Sequence, residues 1–142
     1  MSDNIRAAAI NDIEGIYLLI RQLSRHDFTK EEFNECYSYN LERGRILVYE
    51  RDGITCGCIV FIIHYHMHFS HKTMEIVNLV VDENVRGCGI GKELLAYVEK
   101  ISIDAGCVRV EVDSGKQREA AHRFYYREGF TCSHYKLTKD MI

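Results

Sequence analysis

Apolar residues recur along the chain at two periods, and the switches between them lay out its elements. Ile5 to Ala8 is a short apolar run that predicts a first strand. Ile13, Ile16, Tyr17, Ile20 and Leu23 then return at helical spacing, with Asn11 and Glu14 placed as a capping box ahead of them. Thr29 and Glu32 repeat that signature, and Phe28 and Phe33 bracket it as a hydrophobic staple. Phe33, Cys36, Tyr37 and Leu41 mark the inner face of this second helix, which Gly44 can end. Its outer face carries Glu31, Glu32, Glu35 and Glu42, the pattern of a solvated surface.

Strand patterns then take over. Arg45 to Arg51 reads as a strand, Asp52-Gly53 as a hairpin turn, and a second strand from Thr55 runs on through FIIHYHMHF. Residues 69–72 turn the chain back, and Thr73 to Val81 form the next strand. Ile90, Leu94, Val98 and Ile101 then define a buried helix face, closed by Gly106. Val108, Val110 and Val112 alternate with Arg109, Glu111 and Asp113 as a strand. Ser114 and Gln117 are placed to cap a last helix lined by Ala120, Ala121, Phe124 and Tyr125, and Gly129 stops it. Phe130 to Leu137 reads as a final strand. The expected order is β-α-α-β-β-β-α-β-α-β: a mixed, mostly antiparallel sheet flanked by helices, in the α/β or α+β class.

Length and composition narrow the class. With 142 residues, 46% of them hydrophobic and 27% charged, residues 1–142 are expected to form a single domain with its own core. A net charge of −3 argues against nucleic acid as a partner. The absence of any apolar run of about eighteen residues argues against a membrane span. The start, MSDNIRAAAI, lacks the features of a secretory leader, so a cytoplasmic location is expected. The six cysteines, Cys36, Cys56, Cys58, Cys88, Cys107 and Cys132, form no CxxC pair and read as reduced, small hydrophobic residues. A homodimer is left open.

The most informative stretch is EIVNLVVDENVRGCGIGK, Glu75 to Lys92. An apolar strand, a polar turn and three glycines lead into an amphipathic helix. Glycines let the backbone turn tightly, with its N–H groups inward and no Cβ in the way of a ligand. The helix start adds unpaired N–H groups and a positive dipole end, and Arg86 and Lys92 bracket the turn with fixed charge. This is a seat for a phosphate or pyrophosphate. It is not a P-loop: three residues, not four, separate Gly87 from Gly91, and Glu93 stands where Ser or Thr is required. Nor does Gly-x-Gly-x-Gly match the dinucleotide fingerprint. Arg-Gly-x-Gly-x-Gly directly after an LVV strand resembles the acetyl-CoA signature of the GNAT superfamily of N-acetyltransferases. The predicted element order resembles that fold over essentially the whole chain.

The resemblance implies acetyl-CoA as cosubstrate, held by Arg86, Gly87, Cys88, Gly89, Ile90, Gly91 and Lys92. It also implies that the strand after the glycine turn splays from the one before it, so that the backbone of Leu79, Val80 and Val81 can bond the pantetheine arm. Ala121-His122-Arg123-Phe124-Tyr125-Tyr126-Arg127-Glu128-Gly129-Phe130 is similar to the second family signature. It implies Tyr125 as the acid that protonates the departing thiolate, a task suited to a phenol of pKa about 10. The family often has Asn where Arg118 stands. Many relatives place a carboxylate at the position of Glu75, which makes Glu75 a candidate base.

His64, His66 and His68 recur at period two and share a sheet face if the strand continues, with His71 just beyond. Imidazoles suit amine deprotonation, which makes His66 a second candidate base. Three of them can also hold a divalent metal, an alternative that is not favoured because no carboxylate partner is identifiable by spacing. The histidine-rich strand before EIVNLVV, with AHRFYYREGF and SHYKLTK, is similar to aminoalkylphosphonate N-acetyltransferases. This implies direct acetyl transfer, in a ternary complex, to a small primary amine bearing an anion. The acidic second helix points instead to a cationic amine such as an aminoglycoside or polyamine. A peptide N-terminus, or an acetyl-CoA-binding sensor without catalysis, completes the alternatives.

Overall fold

The computed structural model describes residues 3–23, 27–68 and 70–142. The chain forms two compact units, Met1–Glu111 and Val112–Ile142. The first holds β1 (Asp3–Ala7), α1 (Ile13–Leu23), α2 (Lys30–Glu42), β2 (Ile46–Arg51), β3 (Ile54–Tyr65), β4 (Lys72–Val81), α3 (Ile90–Asp104) and β5 (Cys107–Val112), whose last residue begins the second unit. The five strands form one sheet in the order β1-β2-β3-β4-β5, with antiparallel ladders joining the first four. This is the expected mixed sheet with helices, and the expected order holds as far as α4 (Glu119–Arg127).

The final strand does not form. Residues 130–142 join no ladder, and Tyr135 and Leu137 are 93% and 92% exposed. Alternating side chains make a strand only where a neighbouring backbone pairs with it. The capping assignments divide in the same way. Thr29 and Glu32 form the predicted box, Glu32 N–H donating to Thr29 Oγ1 at 3.0 Å and Thr29 N–H to Glu32 Oε1 at 2.8 Å. Phe28 and Phe33 stack beside it, with ring centroids 6.2 Å apart. Ahead of α1, however, the box forms two residues early: Ala9 stands at the cap, and Asp12 takes the role expected of Glu14. A short 3-10 turn, Ile10–Asp12, precedes the helix, and Ala9 N–H donates to Asp12 Oδ2 at 2.7 Å. Asp12 is held there by the Arg6 guanidinium, with bonds of 2.7 and 2.9 Å.

The sheet separates two packed layers. On one face Ile16 and Leu19 of α1 and Tyr37 of α2 bury Ile46, Val48, Cys58, Val60 and Val80. On the other, α3 buries Ile90, Leu94, Leu95 and Val98. Gly57 lets this helix approach β3, since a Cβ there would lie 3.1 Å from Ile90 and 3.2 Å from Leu94. The Asp52-Gly53 hairpin forms with both residues at positive φ, 50° and 80°. All six cysteines are free thiols, and complete burial pushes that of Cys58 up to about 12.

Asp12 couples β1 to the start of α1, and Arg6, by hydrogen bonding, holds its carboxyl below the usual carboxylate range. A group whose pKa is depressed by folding stabilises fully above its unfolded value of about 4, and that contribution is lost as pH falls through the lower folded value. Asp12→Asn is therefore expected to cost about 1–3 kcal/mol at neutral pH. Thermal unfolding of the two proteins should converge on acidification below about pH 4.

Candidate active site

β4 carries the site, and its register decides which side chains face which layer. Val60 pairs with Asn78, but Phe61 pairs with Ile76, so Val77 is an extra residue, a β-bulge. In a regular strand Glu75 and Asn78, three apart, would point to opposite faces. The bulge reverses this parity. Asn78 lies opposite Val60 and Glu75 opposite Ile62, so both project on the α1–α2 side. There an open cleft of about 480 Å³ is lined by Ile20, Leu23, Phe28, Glu32, Phe33, Cys36 and Asn78. Glu75 is the next inward residue of β4 after Asn78 on that face.

The histidines beyond it are placed differently from the periodic expectation. β3 ends at Tyr65, so His66 and His68 lie in the connection to β4, closed by a bond from His66 N–H to His71 O at 3.1 Å. The turn predicted over 69–72 includes residue 69, which lies outside the described residues, and β4 already begins at Lys72. The three rings still run in sequence, with centroids 6.0 Å apart for His64 and His66 and 5.2 Å for His66 and His68. Their nitrogens turn to separate partners. His64 Nε2 lies 2.7 Å from Glu75 Oε1, and a carboxylate can only accept, so His64 donates. His66 Nε2 lies 2.8 Å from the hydroxyl of Thr73, which is fully buried. Among the described residues no group of three His, Cys, Asp or Glu side chains is arranged to hold a metal ion. The carboxylate partner that spacing did not identify is thus Glu75, and its histidine is His64 rather than His66.

At the end of β4 the chain enters the glycine turn. Asp82 N–H donates to Cys56 O at 2.8 Å, and Asp82 Oδ1 accepts from Asn84 N–H at 2.9 Å, opening a 3-10 turn over Glu83–Val85. Glu83 N–H reaches Gln22 of α1 at 3.1 Å, and Arg86 Nε donates to Val81 O at 3.1 Å. Gly87 and Gly89 hold φ of 82° and 85°, which favours glycine, and a Cβ on either would meet nothing within 4 Å. Space above the turn is therefore open. Gly89 offers no side-chain cap, and the first intrahelical bond is from Glu93 N–H to Gly89 O at 3.0 Å. The N–H groups of Ile90, Gly91 and Lys92 precede that bond, and Arg86 and Lys92 are exposed. The turn fits a pyrophosphate. Glu93, the residue that argued against a Mg-nucleotide, is exposed; its charge, ahead of burial and Asp3, holds the Tyr49 phenol of β2 well above its usual pKa, and that hydroxyl donates to Asp3 Oδ2 at 3.0 Å.

The second unit holds the tyrosine. Tyr125 of α4 is buried against Phe124 and Phe130, with ring centroids at 5.2 and 5.4 Å. Gly129, at φ 96°, turns the chain so that Phe130 N–H donates to Tyr125 O at 3.0 Å. Burial raises the Tyr125 pKa and Arg118 partly opposes it, so the phenol stays protonated, as an acid must. Tyr126, next on the helix, is exposed. The predicted cap by Ser114 and Gln117 is absent. Arg118 occupies the cap without a side-chain bond, and His122 Nε2 instead donates to Gly115 O at 2.8 Å.

Comparison with known proteins agrees with this fold. The chain superposes on an aminoglycoside N-acetyltransferase in complex with CoA with a TM-score of 0.87, at 17% identity over 98% of this chain and 94% of the other. For glucosamine-6-phosphate N-acetyltransferase from Arabidopsis thaliana the TM-score is 0.81, at 23% identity over 100% of both chains. In sequence it is 33% identical over 139 residues to an aminoalkylphosphonate N-acetyltransferase of Salmonella typhimurium, covering 96% of this chain and 90% of that protein. The class is that of N-acetyltransferases that draw the acetyl group from acetyl-CoA. The chain belongs to the acetyltransferase (GNAT) family, whose model matches residues 13–130. Among the described residues no helix is long and apolar enough to cross a membrane.

Replacing Gly89 by Val forces a β-branched residue to a φ of 85° and puts a side chain into the turn. Gly89→Val is expected to weaken CoA binding by about 5- to 150-fold in calorimetric titration, through a conformational cost of roughly 1–3 kcal/mol.

Proposed function

We propose that the chain acetylates the primary amine of a small molecule bearing an anionic group, of the aminoalkylphosphonate type, by direct transfer in a ternary complex. The observation that carries the substrate class is the 33% identity to an aminoalkylphosphonate N-acetyltransferase along 96% of this chain. Acetyl-CoA supplies an activated thioester. Gly87, Gly89 and the N–H groups opening α3 bind its pyrophosphate, with Arg86 and Lys92 adding charge, and the backbone of Leu79 to Val81 receives its amide-bearing arm. Glu75, on the cleft side of β4, accepts the proton of the bound ammonium and so frees the nitrogen lone pair for attack. Tyr125 donates its proton to the leaving thiolate, a role supported by the burial that keeps the phenol protonated.

A second reading has one observation in its favour. Glu32 lines the cleft beside the apolar walls of Ile20, Leu23, Phe28 and Phe33, and its carboxyl is held below the usual range by the Thr29 backbone N–H. A carboxylate there suits a second cationic group on the acceptor, as in a polyamine or aminoglycoside.

Release of free thiol from acetyl-CoA, measured over a panel of aminoalkylphosphonates, polyamines, aminoglycosides and peptides, decides between them. The proposed reading expects the highest kcat/KM for an aminoalkylphosphonate, whereas CoA binding with no turnover of any amine would make the chain a sensor. Tyr125→Phe is expected to lower kcat on the order of 100-fold while leaving the Kd for CoA nearly unchanged. Undiminished kcat in that variant would remove Tyr125 from the acid role.

A further inference from the structure

The His64–Glu75 pair lies on the acceptor face of the sheet, and its geometry suits more than a surface contact. Glu75 stands opposite Ile62 and His64 opposite Thr73, so the two side chains are diagonal neighbours across the β3–β4 ladder on one face. The bond engages Oε1 of Glu75 at 2.7 Å and leaves Oε2 to meet a solute. Both groups are shielded without being enclosed, at 41% and 29% side-chain exposure. The imidazole is itself held. Its ring packs beside that of His66, which is bonded to the buried hydroxyl of Thr73, the cross-strand partner of His64. A row of ring and hydroxyl contacts thus anchors the donor that orients the carboxylate.

We infer that His64 is a positioning residue for Glu75: its Nε2–H fixes Oε1 and thereby aims Oε2 at the ammonium of the acceptor. This rests on Glu75 being the base. The proton passes from the ammonium nitrogen to Oε2, the nitrogen keeps the electron pair, and His64 retains its own proton throughout. An unanchored glutamate samples several rotamers, and proton abstraction requires the oxygen within hydrogen-bond reach of the proton it removes. Holding the carboxylate preset removes that cost from the reacting complex.

The test is a double-mutant cycle in the full chain with steady-state kinetics on the preferred amine. Glu75→Gln is expected to lower kcat on the order of 100-fold. His64→Phe keeps a ring beside His66 but removes the donor, and is expected to lower kcat on the order of tenfold with the KM for acetyl-CoA unchanged. In the Glu75→Gln background the same change should alter kcat by less than about twofold, because no carboxylate remains to be aimed. His64→Gln, which restores an N–H donor at similar reach, should recover most of the loss. If Glu75→Gln is impaired while His64→Phe is fully active, or if the two losses multiply, the positioning role is overturned and the base stands. If Glu75→Gln is fully active, the base assignment itself falls. Melting temperature and CoA affinity identify a variant that merely misfolds, in which case His64→Ala takes the place of His64→Phe in the cycle.

Discussion

One extra residue in β4 governs what this sheet can do. β-strands alternate their side chains strictly, so an inserted residue exchanges faces for everything on one side of it. With Val77 bulged out, Glu75 and Asn78 point to the same side, towards α1 and α2, while Ile76 pairs with Phe61 on the α3 side. Without the bulge, one of these two polar groups would be directed into the layer that α3 covers. The apolar packing of both faces and the polar line along one of them are compatible only in this register.

The same strand also delivers the chain to the glycine turn, so the cleft-side residues Glu75 and Asn78 and the glycine turn belong to one continuous element. The ends of the strand are tied down separately. Asp82 bonds Cys56 beyond the last residue of β4, Gln22 of α1 bonds Glu83, and Arg86 reaches back to Val81. At the other end Thr73, His66 and His71 hold the connection from β3. Groups that must meet reacting atoms are better fixed on such an element than on loops.

Several features were legible from local chemistry. The Thr29–Glu32 box, the Phe28–Phe33 staple and the Asp52-Gly53 hairpin depend on neighbours within a few residues, and all are present. The glycine turn is of the same kind. The errors arise where a distant group competes. The box expected at Asn11 and Glu14 forms instead at Ala9 and Asp12, whose carboxylate Arg6, on another element, also binds. The sixth strand failed because alternation supplies side chains and not a partner. Periodicity ranks His64, His66 and His68 equally, and only the β3–β4 register sets His64 beside Glu75.

By itself, then, the sequence determined the order of the elements through α4, the glycine turn and the family to which its signatures belong. Those properties are encoded in short-range steric and hydrogen-bonding preferences, which a residue expresses whatever lies far along the chain. The tertiary structure alone decided the bulge at Val77, the cleft beside Asn78 and the pairing of His64 with Glu75. Each depends on which residue of one strand stands opposite which residue of another. That choice is made by packing whole faces together, and no local pattern in either strand contains it.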